Sequence, residues 1–248
     1  MSNFLFSIEN LTTKIKDMTI LENITCHIPE GKISTIIGAS GAGKSTFLRT
    51  LVRLHDHSGS IYFRNTSIQD INVRQLRKQI CYVPQVAEMF PGTVKSNILW
   101  ARDLWKLPTN DDFVDKLLIN VGLDPVLAGK EAKDLSVGQK QRVCFARSLA
   151  LEPDVLLLDE PDSALDAISK ESFENFIKDL RKINPALSII MVTHNLQQAN
   201  RMGDYVILLD KGSFVSQGES KEFFTEIQSL KESDLLKHLI NNNGEPLR

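Results

Sequence analysis

The sequence predicts an α/β protein in which most strands form a parallel sheet. Short apolar segments alternate with helical segments in the second half of the chain, which is the pattern of parallel α/β sheets. An apolar segment near the N-terminus runs into a glycine-rich turn, and a long helical stretch interrupts the alternation. With 248 residues, 42% of them hydrophobic and 24% charged, the chain can bury one or two substantial cores.

The first third of the chain is rich in predicted strands. Three β-rich segments are expected at residues 6–11, 19–28 and 32–37, and the last, which contains three isoleucines, runs into the glycine-rich turn. A helix is expected at residues 46–54. Two further strands are expected at residues 60–63 and 80–83, and the second is ended by a proline.

The remaining segments predict a core that is split by an insertion. Residues 87–150 are helical segments separated by Pro and Gly, and this stretch is predicted to be a helical subdomain. Alternation resumes afterwards, with strands expected at 155–158, 188–192 and 205–209 and helices at 170–183 and 196–202. The predicted organisation is a single domain with a core formed by 1–86 and 151–215 and a helical tail at 216–248, in which apolar residues recur at helical spacing between 220 and 240.

Charge, cysteines and hydropathy exclude several classes of protein. The formal net charge of -2 and pI near 6.2 give no electrostatic reason to expect a nucleic-acid partner. Cys26, Cys81 and Cys144 show no paired spacing, which argues against a disulfide framework or zinc site and fits a reducing cytosol. No apolar run approaches the roughly 20 residues that a membrane-spanning helix needs. A membrane role is therefore expected only from the surface, through a partner.

A glycine-rich motif between the third strand and the first helix predicts a phosphate-binding loop. The segment matches GxxxxGK[ST] in the strand–loop–helix context that this motif requires. Its backbone N–H groups can form an anion nest, and the helix N-terminus adds positive potential. Lys44 is expected to reach the β- and γ-phosphates and Ser45 to bind Mg²⁺. The predicted ATP-binding residues of this loop are Gly38, Ala39, Ser40, Gly41, Ala42, Gly43, Lys44, Ser45 and Thr46.

Two acidic residues follow the apolar strand at 155–158. Ligands of open α/β sheets bind at the carboxyl ends of the strands, where Asp159 and Glu160 are placed. Asp159 is expected to be a partner of Mg²⁺, and Glu160 to polarise an attacking water as general base. The alternative is that Glu160 only closes the turn before Pro161.

The segment LSVGQKQR at residues 135–142 resembles the signature sequence of the ATP-binding cassette (ABC) ATPases. Ser136 can cap a helix whose free N–H groups favour a phosphate. The resemblance implies that Ser136, Gly138 and Gln139 face the ATP of a second cassette, so that two copies of the chain form two composite sites. It also implies a P-loop NTPase core with an N-terminal antiparallel β subdomain and an inserted helical subdomain.

Further segments resemble elements of the same family in the same order and extend the resemblance over nearly the whole chain. Gln85 resembles the glutamine that contacts Mg²⁺ and the attacking water, Asp166 lies in a segment that resembles the loop crossing the dimer interface, and His194 resembles the histidine that contacts the γ-phosphate. The catalytic residues implied in this way are Lys44, Gln85, Glu160 and His194, and the Mg²⁺ ligands are Ser45, Gln85 and Asp159.

Three positions depart from the family pattern. Ile15 stands where an aromatic residue usually stacks on adenine, which puts base affinity and selectivity in doubt. Val137 replaces a glycine that is commoner in the signature, and Asp162 replaces a small hydroxyl residue and adds a carboxylate near the site.

The resemblance implies the ATP-hydrolysing subunit of an ABC transporter that acts on separate membrane subunits. Residues 90–94, with Asn97 and Ile98, lie where such cassettes receive the membrane partner, which implies a location on the cytoplasmic face of the membrane. The segment at 193–199 resembles cassettes of phosphate importers and of a small group linked to metal-ion export. The alternatives are a soluble ABC ATPase of the iron–sulfur assembly type and a regulatory module that binds nucleotide without turnover.

Overall fold

The computed structural model describes residues 4–110, 112–163 and 167–229. These residues fall into two compact units: one contains residues 4–77 and 188–229, and the other contains the described residues between 78 and 187. The strands are β1 (Phe4–Ile15), β2 (Met18–Pro29), β3 (Ile33–Ile37), β4 (His57–Phe63), β5 (Thr66–Ser67), β6 (Ile80–Val83), β7 (Val155–Asp159), β8 (Ser188–Val192), β9 (Tyr205–Asp210) and β10 (Ser213–Glu219). The α-helices are α1 (Lys44–Leu51), α2 (Val73–Gln79), α3 (Val94–Leu104), α4 (Phe113–Asn120), α5 (Val137–Leu149), α6 (Ala167–Ile183), α7 (Leu196–Met202) and α8 (Ser220–Ser229).

The first unit contains an antiparallel sheet with the strand order β2-β1-β4-β5. Strands β1 and β2 form a long hairpin whose last pair is Ile15 opposite Met18. Strand β1 extends beyond the predicted segment at both ends, and its C-terminal end at residues 12–15 was missed because it contains two threonines and a lysine, whereas β2 is longer by one residue at each end. The structure therefore confirms an antiparallel β region at the N-terminus.

The first unit also contains three parallel strands. Strand β3 pairs in parallel with β8 and β9, and β10 pairs antiparallel with β9. Every residue of β3 and β8 is buried, and the branched apolar residues of both strands made them predictable from the sequence. Strand β10 was not predicted, because it is half-exposed and carries Ser, Gln and Gly.

Helices α7 and α8 pack on this parallel strand group. A cluster of buried side chains joins the two helices to β3 and β9, namely Ile37, Ala199, Val206, Leu208, Phe223 and Phe224. The helical pattern predicted for 220–240 is thus present as α8, and residues 230–248 lie outside the described residues.

The second unit combines two parallel strands with helices α3 to α6. Strands β6 and β7 pair in parallel from Ile80 opposite Val155 to Val83 opposite Leu158. Between them in the chain lie α3, α4, two short 3₁₀ helices and α5, so the predicted helical stretch is helical within the described residues. Helices α5 and α6 meet through the rings of Phe145, Phe173 and Phe176, which pack in tilted and edge-to-face arrangements.

Helix α2 was also missed, because Leu76 is its only buried residue and the sequence shows no apolar stripe there. Within the described part of the chain, no helix has the length and apolar character needed to cross a bilayer.

Candidate functional site

The glycine-rich segment of the first unit forms a tight loop between β3 and α1. Gly38 has a φ of +150°, and a Cβ atom at this position would overlap the carbonyl oxygen of Leu209 on β9. Gly43 has a φ of +89°, and its Cβ would lie 2.6 Å from Cδ2 of Leu21. Both positions favour glycine because of their positive φ, and a side chain would meet the backbone of β9 at Gly38 and the side chain of Leu21 at Gly43.

The side chain of Lys44 folds back over this loop, and its ammonium group contacts backbone carbonyl oxygens. Its side-chain Nζ donates hydrogen bonds to the carbonyl oxygens of Gly38, at 2.8 Å, and Ala39, at 2.9 Å, and the residue is only 5% exposed. Helix α1 begins at Lys44 and has no acidic residue in its first turn, so its own sequence leaves the positive end of the helix dipole available to an anion. Ser45 and Thr46 lie in that first turn. The loop, its lysine and the helix end form a cradle for an anion.

His194 follows β8 on a short braced connection in the same unit. Thr193 is buried, and its Oγ1 donates to Oε1 of Gln198 at 2.7 Å while accepting from the N–H of Asn195 at 3.0 Å. The side chain of Asn195 caps α7 by accepting from the N–H of Gln198 at 3.0 Å. These bonds hold the backbone on both sides of His194, whose side chain is exposed.

The two acidic residues of the second unit lie at the end of β7 in different environments. Asp159 is 1% exposed and accepts a hydrogen bond at 2.7 Å from the hydroxyl of Tyr82 on β6. Glu160 is half-buried and has a φ of +45°. Non-glycine residues seldom adopt such a backbone conformation, and those that do often lie at functional sites.

Gln85 contacts Glu160 and Ser163. Its Nε2 lies 3.2 Å from Oε2 of Glu160 and 3.3 Å from Oγ of Ser163, and it donates to both. A segment after β6 and the turn after β7 are thereby joined at the carboxyl end of the strand pair. The sequence assigned Gln85 and Glu160 to one site, and the structure brings them together.

The signature segment begins helix α5 with a complete capping box. Oγ of Ser136 accepts from the N–H of Gln139 at 3.3 Å, and Oε1 of Gln139 accepts from the N–H of Ser136 at 3.0 Å. Val137 is 62% exposed beside this cap, and Gly138 is half-buried. The predicted role of Ser136 as the helix cap is confirmed, and it leaves the first turn of α5 facing solvent.

The signature helix is also connected to the segment that carries Gln85. Gln141, which is 5% exposed, donates from Nε2 to the carbonyl oxygen of Pro84 at 3.4 Å. A cavity of about 560 Å³ lies between these elements within the second unit, and it is lined by Gln85, Val86, Ala87, Val137, Lys140, Gln141, Pro161 and Ser163.

Tyr82 was not found from the sequence, and Gln141 and Ser163 lie in segments that the resemblance pointed to, although neither was assigned to the site. A tyrosine in a strand does not indicate a functional site until the strand paired with it is known, and here the hydroxyl of Tyr82 reaches Asp159 on the paired strand. Of the residues expected at the site, Asp166 lies outside the described residues, and Asp162 is 8% exposed in the turn after Glu160.

The features of the two units define a class of protein. A phosphate loop with a buried lysine, a strand that ends in two carboxylates and a capped helix preceded by LS are the elements of a P-loop ATPase of the cassette type.

Comparisons with known proteins identify the family within this class. The family model described as "ABC transporter" matches residues 21–163, which is more than half of the 248 residues. The phosphate import ATP-binding protein PstB of Campylobacter jejuni is 40% identical over 216 residues, covering 82% of this chain and 86% of PstB. Protein STAR1 of Oryza sativa is 42% identical over 197 residues, covering 79% of this chain but only 57% of STAR1.

A solved structure shows the same fold. It is cbiO1 of Clostridium perfringens, described as part of the ABC transporter complex cbiONQ, with a TM-score of 0.81, 29% identity and coverage of 96% of this chain and 99% of cbiO1. The chain belongs to the ABC transporter family. It is an ABC ATPase, which binds and hydrolyses ATP as a subunit of a transporter, and nothing in the comparisons supports the iron–sulfur assembly alternative.

Proposed function

We propose that two copies of this chain close around two ATP molecules and that closure drives conformational change in separate membrane subunits. The observation that supports this coupling is the link between Glu160 and the signature helix. Gln85 bonds to Glu160, and the adjacent Pro84 is bonded to Gln141 of α5. A shift of α5 therefore moves the segment of Pro84 and Gln85, which contacts the carboxylate of Glu160. Such a link is needed if hydrolysis is to depend on closure of the dimer.

The first unit supplies most of the phosphate contacts in this proposal. The N–H groups of residues 38–46 surround the β- and γ-phosphates, and Lys44 exchanges its carbonyl partners for phosphate oxygens. His194 contacts the γ-phosphate from its braced connection, where the bonds of Thr193 keep the backbone in place.

The second unit supplies the group that acts on water. Glu160 accepts a proton from the attacking water, and Gln85 orients both the carboxylate and that water. The donor set proposed for Mg²⁺ consists of Ser45, Gln85 and Asp159, and their hydroxyl, amide and carboxylate oxygens are the hard ligands that this ion prefers. Bound Mg²⁺ neutralises charge that develops on the phosphate oxygens.

Ser136, Gly138 and Gln139 act in trans in this proposal. The capping box uses the side chains of Ser136 and Gln139 on each other's backbone and orients the first turn of α5. That turn faces the γ-phosphate of ATP held by the second copy. Asp166 is proposed to contact the second copy as well.

An exposed aromatic pair is the proposed docking surface for the membrane subunit. Phe90 and Trp100 are 41% and 50% exposed, and their ring centroids lie 4.8 Å apart. Arg147 lies 4.8 Å from the centroid of Phe90. By contrast, Asn97 and Ile98 are fully buried. Asn97 forms hydrogen bonds with the backbone of Phe90 and Thr93, so it supports the exposed pair from the interior instead of contacting a partner. Trp100→Ser is expected to reduce co-purification with the membrane subunits.

The proposed organisation retains the core of residues 1–86 and 151–215, the helical subdomain 87–150 and the tail 216–248. The helical subdomain carries both the aromatic pair and the signature helix. Docking on the aromatic pair would place the chain at the cytoplasmic face of the membrane.

Similarity to PstB favours inorganic phosphate as the transported solute, and phosphate uptake into vesicles containing the chain with its membrane subunits tests this assignment.

The decisive experiment for the ATPase mechanism is Glu160→Gln. The amide cannot accept the proton of water, so phosphate release is expected to fall at least about 100-fold while ATP binding persists. Light scattering is expected to show an ATP-bound dimer that the parent chain forms only transiently. Glu88→Gln is the matched control, because Glu88 is an exposed carboxylate in the same unit. Near-normal hydrolysis by the Glu160 variant would contradict its assignment as base.

A further inference from the structure

One side-chain amide bridges two groups of the turn that follows β7. The Nε2 atom of Gln85 lies 3.2 Å from Oε2 of Glu160 and 3.3 Å from Oγ of Ser163. The backbone N–H of Ser163 also donates to the carbonyl oxygen of Glu160 at 3.1 Å, so the two residues close a tight turn. Both acceptors of the amide are therefore held by the same turn.

The chemistry of these acceptors determines how the amide is oriented. A carboxylate only accepts hydrogen bonds, so the atom of Gln85 next to Glu160 is the nitrogen of the amide. This nitrogen carries two protons, of which one is directed to Glu160 and the other to Ser163. The amide oxygen, Oε1, then points away from the turn. It is the only side-chain oxygen of Gln85, and it is the atom through which Gln85 is proposed to contact Mg²⁺ and the attacking water.

Hydrogen bonds rather than close packing hold this amide in place. Gln85 is exposed, Ser163 is half-buried, and both line the cavity of about 560 Å³ in the second unit. A bond to Glu160 alone would let the amide turn about that bond, whereas a second acceptor fixes its plane. The bond to Glu160 also weakens when this carboxylate takes up a proton, because hydrogen bonds to charged groups are the stronger ones. Ser163 is neutral, so its bond to Gln85 does not depend on that proton.

We propose that Ser163 is a positioning residue for ATP hydrolysis. Its hydroxyl holds the amide plane of Gln85 while Glu160 changes from carboxylate to carboxylic acid, and Oε1 of Gln85 thereby stays directed away from the turn. Ser163 contacts neither water nor phosphate in this role and acts only through Gln85. The inference rests on the proposed function, since it concerns the glutamine of the same site.

The first test measures kcat and KM for ATP by phosphate release in Ser163→Ala. We expect kcat to fall about fivefold, which is the scale of one neutral hydrogen bond, and KM to stay at the parent value. Ser163→Thr keeps the hydroxyl, and the adjoining cavity has room for its methyl group, so it should recover most of the loss. Ser148→Ala is the matched control, because Ser148 is also half-buried in this unit and its hydroxyl bonds within α5. A parent kcat in Ser163→Ala, or no recovery in a folded Ser163→Thr, overturns the inference.

The second test asks whether Ser163 acts through Gln85. Gln85→Ala removes the amide, so adding Ser163→Ala to it should cause no further fall in kcat. A further fall of the same size would show that the two residues act independently, which overturns the inference and leaves the proposed function standing. If Gln85→Ala hydrolyses ATP like the parent, the proposed role of Gln85 fails, and the inference fails with it.

The third test does not depend on catalysis. The two side-chain amide proton signals of Gln85, assigned by their loss in Gln85→Ala, can be followed by NMR in the nucleotide-free chain. In Ser163→Ala one signal should shift upfield, because its proton loses an acceptor, and the signal of the proton bonded to Glu160 should change less. Two unchanged signals would show that Ser163 does not hold the amide, whatever the hydrolysis rates are.

Discussion

The hydroxyl of Tyr82 donates a hydrogen bond to Oδ2 of Asp159 over 2.7 Å, between neighbouring parallel strands. Asp159 is almost completely buried, so the orientation of its carboxylate depends on the groups around it. Tyr82 thereby acts as a positioning residue for the carboxylate that is proposed to bind Mg²⁺.

Tyr82→Phe is expected to affect the metal dependence of hydrolysis more than ATP binding. Loss of a hydrogen bond to a buried carboxyl group typically costs about 1.5–3 kcal/mol, and Asp159 loses one of the contacts that orient its carboxyl group. The Mg²⁺ concentration for half-maximal phosphate release should rise several-fold, while the Kd for ATP without Mg²⁺ stays the same. Tyr62→Phe removes a hydroxyl from β4 and serves as the control. An unchanged Mg²⁺ dependence in Tyr82→Phe would show that the bond is only structural.

Ser136→Arg is expected to separate ATP binding from dimer formation. The long charged side chain occupies the first turn of α5, which is proposed to face the second copy, and it removes the capping hydroxyl. ATP binding should remain near the parent value, whereas the ATP-dependent dimer of Glu160→Gln should be lost in the double variant. Asp115→Arg, at an exposed position on α4, introduces the same side chain elsewhere and should keep the dimer. Dimer formation by the Ser136 variant would contradict the head-to-tail arrangement.

Local motifs made much of the candidate site predictable. The phosphate loop and the two carboxylates are contiguous segments, so strand, turn and helix signals lie within a few residues of each other. The contacts of Gln85 with Glu160 and Ser163 join residues 75 and 78 positions apart, and family resemblance rather than spacing pointed to them. Tyr82 was missed because its partner is defined only once β6 is known to pair with β7.

The strands and helices that were missed share a physical cause. Strand β10 and helix α2 each bury little apolar surface, so neither shows the periodicity of two or 3.6 residues on which the prediction relied. Strand β10 is instead determined by the turn at Lys211 and Gly212, both of which have positive φ, and by pairing with β9. The buried strands β3, β7 and β8 were found because most of their residues are large and apolar, which can be seen in the sequence without knowing which strands pair.

The buried cysteines predict that stability decreases in alkaline solution. Burial raises the pKa of Cys26 and of Cys81 to about 12, and it also raises the pKa of Cys144. Unfolded thiols ionise near pH 8.5, so above this pH the unfolded chain loses protons that the folded chain retains. Between pH 8 and pH 10 each of Cys26 and Cys81 should lower the free energy of unfolding by about 2 kcal/mol.

Urea midpoints at the two pH values measure this effect. Cys26→Ala and Cys81→Ala are expected to lose their share of the pH-dependent change even though each variant is less stable at pH 8 because of the smaller side chain. Cys144→Ala should also reduce the loss of stability between pH 8 and pH 10, because burial raises the pKa of this thiol too. If the alanine variants show the full change of the parent between pH 8 and pH 10, the thiols are not its source.

Arg102 is expected to be essential for the stability of the second unit. It is 6% exposed, and its guanidinium donates to the carbonyl oxygens of Pro108 and Ala150 and to Glu152. The same group lies 4.1 Å from the ring centroid of Phe113. One side chain thus joins α3, the segment after it, the end of α5 and α4. Arg102→Ala leaves two carbonyl groups without this donor and should lower the free energy of unfolding by about 3–5 kcal/mol.

Arg102→Lys distinguishes geometry from charge at this position. A lysine keeps the charge but cannot reach three acceptors as a planar fork, so it should recover less than half of the loss. Arg74→Ala is the control, because Arg74 is exposed on α2 and its truncation should change stability by no more than about 0.5 kcal/mol. Urea unfolding followed by tryptophan fluorescence reports on this unit directly, since Trp100 and Trp105 both lie within it and the chain has only these two. Full recovery by lysine would show that the position requires a positive charge and not the forked hydrogen bonds of arginine.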